Sequence, residues 1–155
     1  MTIFFYKVWE PYGCFSNFSP HSIELEGRIW PTTEHFYQAH KYLGSPDSFL
    51  YEQIFQAPTP EAAAALGRNP NYRIRPDWNV VKVEVMYRAV RTKFMTYTAL
   101  RELLIQTGHE QIVENSPTDD YWGCGCSGTG QNHLGKVLMR VREELRPPDV
   151  RKGDR

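Results

Sequence analysis

The sequence predicts a helix-rich α+β fold, and three observations carry that reading. Helix-start signals recur along the chain, at Thr32-Thr33-Glu34, at Thr59-Pro60-Glu61 and at Asn79. Strand-like runs are few and short, and they do not alternate with helices as a parallel α/β sheet requires. No internal repeat or linker interrupts the 155 residues. One domain is therefore expected over residues 1–146, followed by a proline-rich basic tail over 147–155 that should be disordered.

Residues 3–8 are aromatic and β-branched and predict the first strand. Residues 15–20 read as a loop, and residues 23–29 alternate around Gly27 as a hairpin does. A helix should start after Pro31, where Thr32 or Thr33 can accept from an open backbone N–H and Glu34 meets the positive end of the dipole. It should run to about Leu43, before Gly44-Ser45-Pro46. Asp47 or Ser48 can cap a short helix reaching Gln56. Thr59 can cap a third, with Pro60 in the first turn where its missing N–H costs nothing, ending at Gly67. After a loop over 69–77, Val80, Val83, Met86, Val90 and Phe94 recur at helical spacing in a longer helix from Asn79. Residues 98–106 continue the helical pattern until Gly108, a C′ glycine. Residues 111–114 form a short strand, and residues 133–145 a last amphipathic helix ended by Pro147-Pro148.

Lys plus Arg and Asp plus Glu both count 18, so the chain is neutral and disfavours a globally basic nucleic-acid binder. Three cysteines are an odd number, two of them in Cys124-Gly125-Cys126, which argues against a disulfide framework and for a reducing cytosol. No run resembles a signal peptide or a membrane span, so a cytoplasmic protein without membrane contact is expected. Zinc would need more ligands than Cys124, Cys126 and His133, and no metal site is expected.

The densest chemical signal is the stretch from Asn115 to Met139. Gly123, Gly125, Gly128, Gly130 and Gly135 fall within thirteen residues, beside Asp119, Trp122 and Asn132. A glycine-dense loop entering a helix can present N–H groups to an anion. Asp119 could accept from a hydroxyl and Trp122 offers a stacking face, which suggests a nucleotide-like or phosphosugar ligand. The alternative is a long turn whose glycines serve backbone geometry alone. Gly123-Cys124-Gly125-Cys126-Ser127-Gly128 matches G-x-G-x-x-G, but no second strand with its acid follows, so a dinucleotide fold is excluded. Val137 after Gly135-Lys136 excludes a P-loop.

Glu34, Gln38 and Lys41 are spaced i, i+4, i+7 and fall on one helix stripe. A lysine there could attack an aldehyde-level carbon while the acid moves protons. The alternative is a solvated charge stripe. Trp78, after Arg75-Pro76-Asp77, reads either as an exposed loop residue stacking a base, with Arg75 on a phosphate, or as an anchor onto the core.

These segments together resemble the NADAR superfamily, named for NAD and ADP-ribose, and in particular its YbiA-like N-glycosidases. The matching pieces stand in order: Phe15-Ser16-Asn17-Phe18; Trp30-Pro31-Thr32-Thr33-Glu34-His35 with Gln38-Ala39 and Lys41; Gly67-Arg68; Arg75-Pro76-Asp77-Trp78; Lys93-Phe94; Val113-Glu114; Asp119 with Trp122-Gly123; and Gly130 with Asn132 and Leu134-Gly135. They cover roughly residues 3–146. The resemblance implies cleavage of a C1′–N bond between a ribose and an amine-bearing base, without a cofactor. It implies either phosphoribosylamino-pyrimidine intermediates of riboflavin synthesis or ADP-ribose on guanine, the latter free or in nucleic acid as a modified substrate. Glu34, Lys41 and Asp119 would be catalytic, with a Schiff base on Lys41 and proton transfer by Glu34. A covalent carboxylate intermediate is the competing design. Ser16, Asn17, Arg68, Arg75, Trp78, Trp122, Gly123, Gly130 and Asn132 would contact substrate. Two other classes stay open: a module that binds NAD or ADP-ribose without turnover, and a metal hydrolase built on Cys124, Cys126 and His133.

Overall fold

A computed structural model describes residues 1–148; most of the tail expected over 147–155 lies outside the described residues. The fold is α+β, with helices α1 (Thr33–His40), α2 (Phe49–Phe55), α3 (Pro60–Gly67), α4 (Trp78–Thr96), α5 (Thr98–Gln106) and α6 (His133–Leu145). The strands are β1 (Thr2–Phe5), β2 (Ile23–Leu25), β3 (Arg28–Trp30) and β4 (Gln111–Glu114). The chain divides into two compact units: Met1–Ser16 with the segment from Phe94 onward, and Asn17–Lys93.

In the first unit β1 pairs in parallel with β4, Thr2 opposite Gln111 and Phe5 opposite Glu114. The strand alternation buries Ile3 and Phe5 and leaves Phe4 outside at 55% exposure. Leu134, Val137, Leu138 and Val141 give α6 one buried face, each side chain contributing about 1.5–3 kcal/mol when fully buried. Contact is close because Gly135 has no side chain: a Cβ there would collide with the Ile112 carbonyl of β4. The expected C′ glycine after α5 is in place, with Gly108 at φ +65°. Arg142, though buried, donates to Thr107 Oγ1 at 2.9 Å and to the Glu110 carbonyl at 2.8 Å, which ties α6 to the end of α5.

In the second unit β2 and β3 form the expected hairpin, Ile23 opposite Trp30 and Leu25 opposite Arg28. Its turn residues Glu26 and Gly27 have φ of 55° and 73°, the two left-handed positions of a tight hairpin turn. Trp30 is fully buried among the rings of Phe36, Tyr51 and Phe55, at centroid distances of 5.3, 5.6 and 4.9 Å, and binds α1 and α2 to the hairpin.

Several boundaries differ from the sequence reading. The first strand stops at Phe5, because the chain turns: Glu10 N donates to the Lys7 carbonyl at 3.1 Å, and a 3-10 turn follows at Gly13–Phe15. α1 ends at His40 rather than Leu43, where the N–H groups of Lys41 and Tyr42 bond back to Gln38 and Ala39 in tighter turns. Ser48 precedes α2 without a side-chain capping bond. Thr59 caps α3 as expected, accepting from Ala62 N at 3.0 Å.

Candidate active site

α1 is buried along its whole length, Thr33 to His40, which is unusual for a helix carrying a carboxylate. Thr32 makes the N-terminal cap, its hydroxyl accepting from His35 N at 3.2 Å. Thr33 instead donates to Asn17 Oδ1 at 2.9 Å, while the Asn17 carbonyl accepts from Glu34 N at 3.2 Å. The Asn17 amide also donates to Met86 Sδ at 3.2 Å. Asn17 thus fixes the start of α1 at Glu34. Its side chain is engaged within the protein, unlike the substrate contact that the resemblance implies.

Glu34 is 4% and Gln38 is 1% exposed, and Gln38 Nε2 donates to Glu34 Oε1 at 2.7 Å. The solvated-stripe reading is therefore wrong for these two residues. Lys41, half-buried, stays on the same stripe as the C-cap of α1, with φ −57° and ψ −30°. Its Nζ donates to the Gly67 carbonyl at 3.3 Å and sits 5.5 Å from the centre of the Tyr37 ring. The Tyr42 hydroxyl donates to the same carbonyl at 3.1 Å, and burial raises its pKa. The end of α3 thereby seats the lysine beside α1, and Arg68, the exposed C-cap of α3, follows directly.

Trp78 is not in an exposed loop. It opens α4 at 4% exposure with its ring 5.2 Å from that of Tyr37, as the core-anchor alternative describes. The backbone of Arg75 donates to the Lys41 carbonyl at 2.7 Å. Its guanidinium forms a two-pronged pair with Asp77 at 2.7 and 3.0 Å, which raises the Arg75 pKa and lowers that of Asp77. Arg75 carries its charge already matched, and this weakens the phosphate-contact expectation.

The glycine stretch belongs to the first unit, and many of its polar groups are bonded within the protein. Asp119 Oδ1 accepts from the N–H of Tyr121 and of Trp122, at 3.0 and 2.8 Å, closing an Asx-type turn. The N–H groups of Cys124, Gly130, Asn132 and Leu134 are all taken by backbone carbonyls. The glycines permit close backbone approach: a Cβ would lie 2.7 Å from the Glu114 carbonyl at Gly123 and 2.6 Å from the Gly123 carbonyl at Gly130. Trp122 is 8% exposed, packed edge-on to Tyr121 at 5.0 Å. Asn132 begins α6 at φ 53°; its Oδ1 accepts from Glu114 N at 3.1 Å and its Nδ2 donates to the Ile112 carbonyl at 2.8 Å. That amide works as a piece of strand against β4. Ser16 is half-buried at the end of the 3-10 turn. Among the described residues no group of three or more His, Cys, Asp or Glu side chains could hold a metal ion.

The residues that sequence reasoning missed are Gly67, Tyr42 and Tyr37, which surround Lys41. Tyr37 stands three residues after Glu34, but no periodicity marks a backbone carbonyl as the seat of a lysine.

Compared with known proteins, the chain matches the NADAR domain family over residues 4–146. It is 57% identical over 146 residues to the N-glycosidase Npun_R5314 of Nostoc punctiforme, covering 94% of each chain. It is 42% identical over 141 residues to N-glycosidase YbiA of Escherichia coli, covering 91% of this chain and 86% of that protein. It is 44% identical to the chloroplastic riboflavin biosynthesis protein PYRR of Zea mays, of which it spans 25%. The NMR structure of E. coli YbiA superimposes with a TM-score of 0.86 at 39% identity, over the whole of this chain and 89% of that one. With the same fold and a match over nearly its whole length, this chain belongs to the NADAR domain family.

Proposed function

We propose that this protein is an N-glycosidase that hydrolyses the C1′–N bond of a phosphoribosylated amine, with Glu34 as acid and base and Lys41 as covalent nucleophile. The observation that carries the reading is a buried carboxylate and a lysine amine held on one stripe of α1, the first by Gln38 and the second by the Gly67 carbonyl. The names of two relatives support the reaction class, and the maize relative, of which the chain spans a quarter, is named for riboflavin biosynthesis, which supports a substrate from that synthesis.

An N-ribosylamine is an aldehyde-level centre. Breaking O4′–C1′ gives a C1′ iminium as protonated Glu34 delivers its proton to the ring oxygen. The neutral Lys41 amine adds to C1′, and the proton of the ammonium so formed passes to the Glu34 carboxylate. The C1′–N bond to the base then breaks as Glu34 delivers a proton to the departing amine, leaving a Schiff base between C1′ and Lys41. Water, deprotonated by the Glu34 carboxylate, adds to C1′; Glu34 returns that proton to the Lys41 nitrogen, the C1′–N bond to Lys41 breaks, and the sugar leaves as its aldehyde while its hydroxyl proton goes back to Glu34.

The test incubates the protein separately with a phosphoribosylamino-pyrimidine and with ADP-ribosylated guanosine, following free base and free sugar. Release from the first is expected. Release from the second alone would move the substrate to ADP-ribosylated guanine, and release from neither would end the enzymatic reading. Borohydride during turnover should trap an adduct of the sugar on wild-type protein and none on Lys41→Met, which should also lose turnover. A Lys41→Met protein at near-normal rate sinks the Schiff base.

A further inference from the structure

The polar balance of Gln38 does not close. Its Nε2 donates to Glu34, yet its Oε1 is buried with no hydrogen-bond partner among the described residues. A buried carbonyl left without a donor carries its full desolvation penalty. Turning the amide over would set an oxygen against the Glu34 carboxylate, acceptor against acceptor, so the orientation is dictated by Glu34. An apolar side chain of the same length would fill the space without this cost. What glutamine supplies here is the donor to Glu34.

Gly67 provides a second, independent observation. Its φ is not among the positive values, so backbone geometry does not require glycine at the end of α3. Space does: a Cβ there would collide with Gln38 Oε1 and lie 2.7 Å from Cδ and 2.9 Å from Cβ of Gln38. The carbonyl of this same glycine receives Lys41 and Tyr42. One amide is therefore wedged between the carboxylate and the peptide that seats the lysine.

We propose that Gln38 is a positioning residue with Gly67 as its seat: it holds the Glu34 carboxylate in one orientation relative to Lys41, and Gly67 must lack a side chain for it to do so. The inference rests on the acid–base role proposed for Glu34 above. It accounts for two features that a nucleophile and an acid alone leave unexplained, a glycine in a helical position and an unsatisfied buried carbonyl.

The experiment measures kcat, KM and thermal melting of the full chain on a phosphoribosylamino-pyrimidine for Gln38→Met, Gly67→Ala and Glu34→Gln. Gln38→Met keeps length and volume and removes the donor. Gly67→Ala keeps every hydrogen-bonding group and displaces the amide. Both should lower kcat by ~10- to 100-fold, as a misplaced reacting group does, with KM within about 3-fold and a cooperative melt retained. Should Gln38→Met fail to fold, Gly67→Ala decides by the same criteria. A kcat within about 3-fold of wild type, or a loss confined to KM, overturns the positioning role. An impaired Glu34→Gln with unimpaired Gln38 and Gly67 variants overturns this inference alone. An unimpaired Glu34→Gln overturns it together with the acid–base reading on which it rests.

Discussion

Replacing Asn132 separates a structural from a ligand-binding role. The structure gives its amide two bonds to β4, one from Glu114 N at 3.1 Å and one to the Ile112 carbonyl at 2.8 Å. Asn132→Ala removes both and leaves two strand groups to find other partners, at roughly 1 kcal/mol each. It also places alanine at φ 53°, a left-handed conformation costing a further ~1 kcal/mol that asparagine tolerates better. The sum is about 3 kcal/mol, or a melting temperature lowered by very roughly 6–12 °C in a chain of this size. Asn132→Gly keeps the backbone unstrained and loses only the bonds, so it should cost about 2 kcal/mol. Urea unfolding of the three proteins at neutral pH measures this order directly. Equal midpoints for wild type and Asn132→Ala, with weakened substrate binding, would refute the strand-like role and return Asn132 to the substrate contacts. A glycine variant less stable than the alanine variant would refute the backbone part of the argument.

Two further outcomes follow from buried side chains. Trp78→Ala should lose about 3–5 kcal/mol of stability by emptying a core site, whereas Trp78→Phe should keep most of both stability and activity. A stable Trp78→Ala protein that fails only in substrate binding would restore the base-stacking role. His35 is fully buried, with Nε2 bonded to the Ala57 carbonyl at 3.0 Å and Nδ1 to the Thr32 hydroxyl at 2.8 Å, and burial holds its pKa below 6.5. The unfolded chain therefore takes up the proton first, so stability is full above pH 6.5 and falls as pH drops through and below it. Urea midpoints between pH 7.5 and 5.5 (roughly one pH unit either side of the histidine range) should show this fall, and His35→Gln should flatten it. An unchanged slope assigns the fall elsewhere, with His21, lowered by burial and then by Lys93, as the next group to replace.

The local elements were legible because their signals are local. Thr59-Pro60 fixed the start of α3, Gly108 the end of α5, and the apolar spacing from Leu134 onward the face of α6; each depends on residues within a turn or two of one another. The Glu34, Gln38 and Lys41 stripe was legible as a geometric fact for the same reason. Its meaning was not. Whether a carboxylate is solvated or buried depends on what covers its helix, and here the cover comes from the Asn17 loop and the end of α3, segments 17 and 33 residues from Glu34 in the chain. The glycine stretch follows the same logic: the N–H groups of Cys124, Gly130, Asn132 and Leu134 are bonded to β4 and to the loop folding on itself, partners that no local pattern marks. Sequence alone determined which helices and strands form, their order, and the ends that a local signal such as Thr59-Pro60 or Gly108 marks, because caps and periodicity act over a few residues. Only the tertiary structure decided which polar groups are buried, which are already bonded, and which peptide carbonyl seats the lysine, because burial and hydrogen-bond partners are set by segments that the chain brings together from far apart.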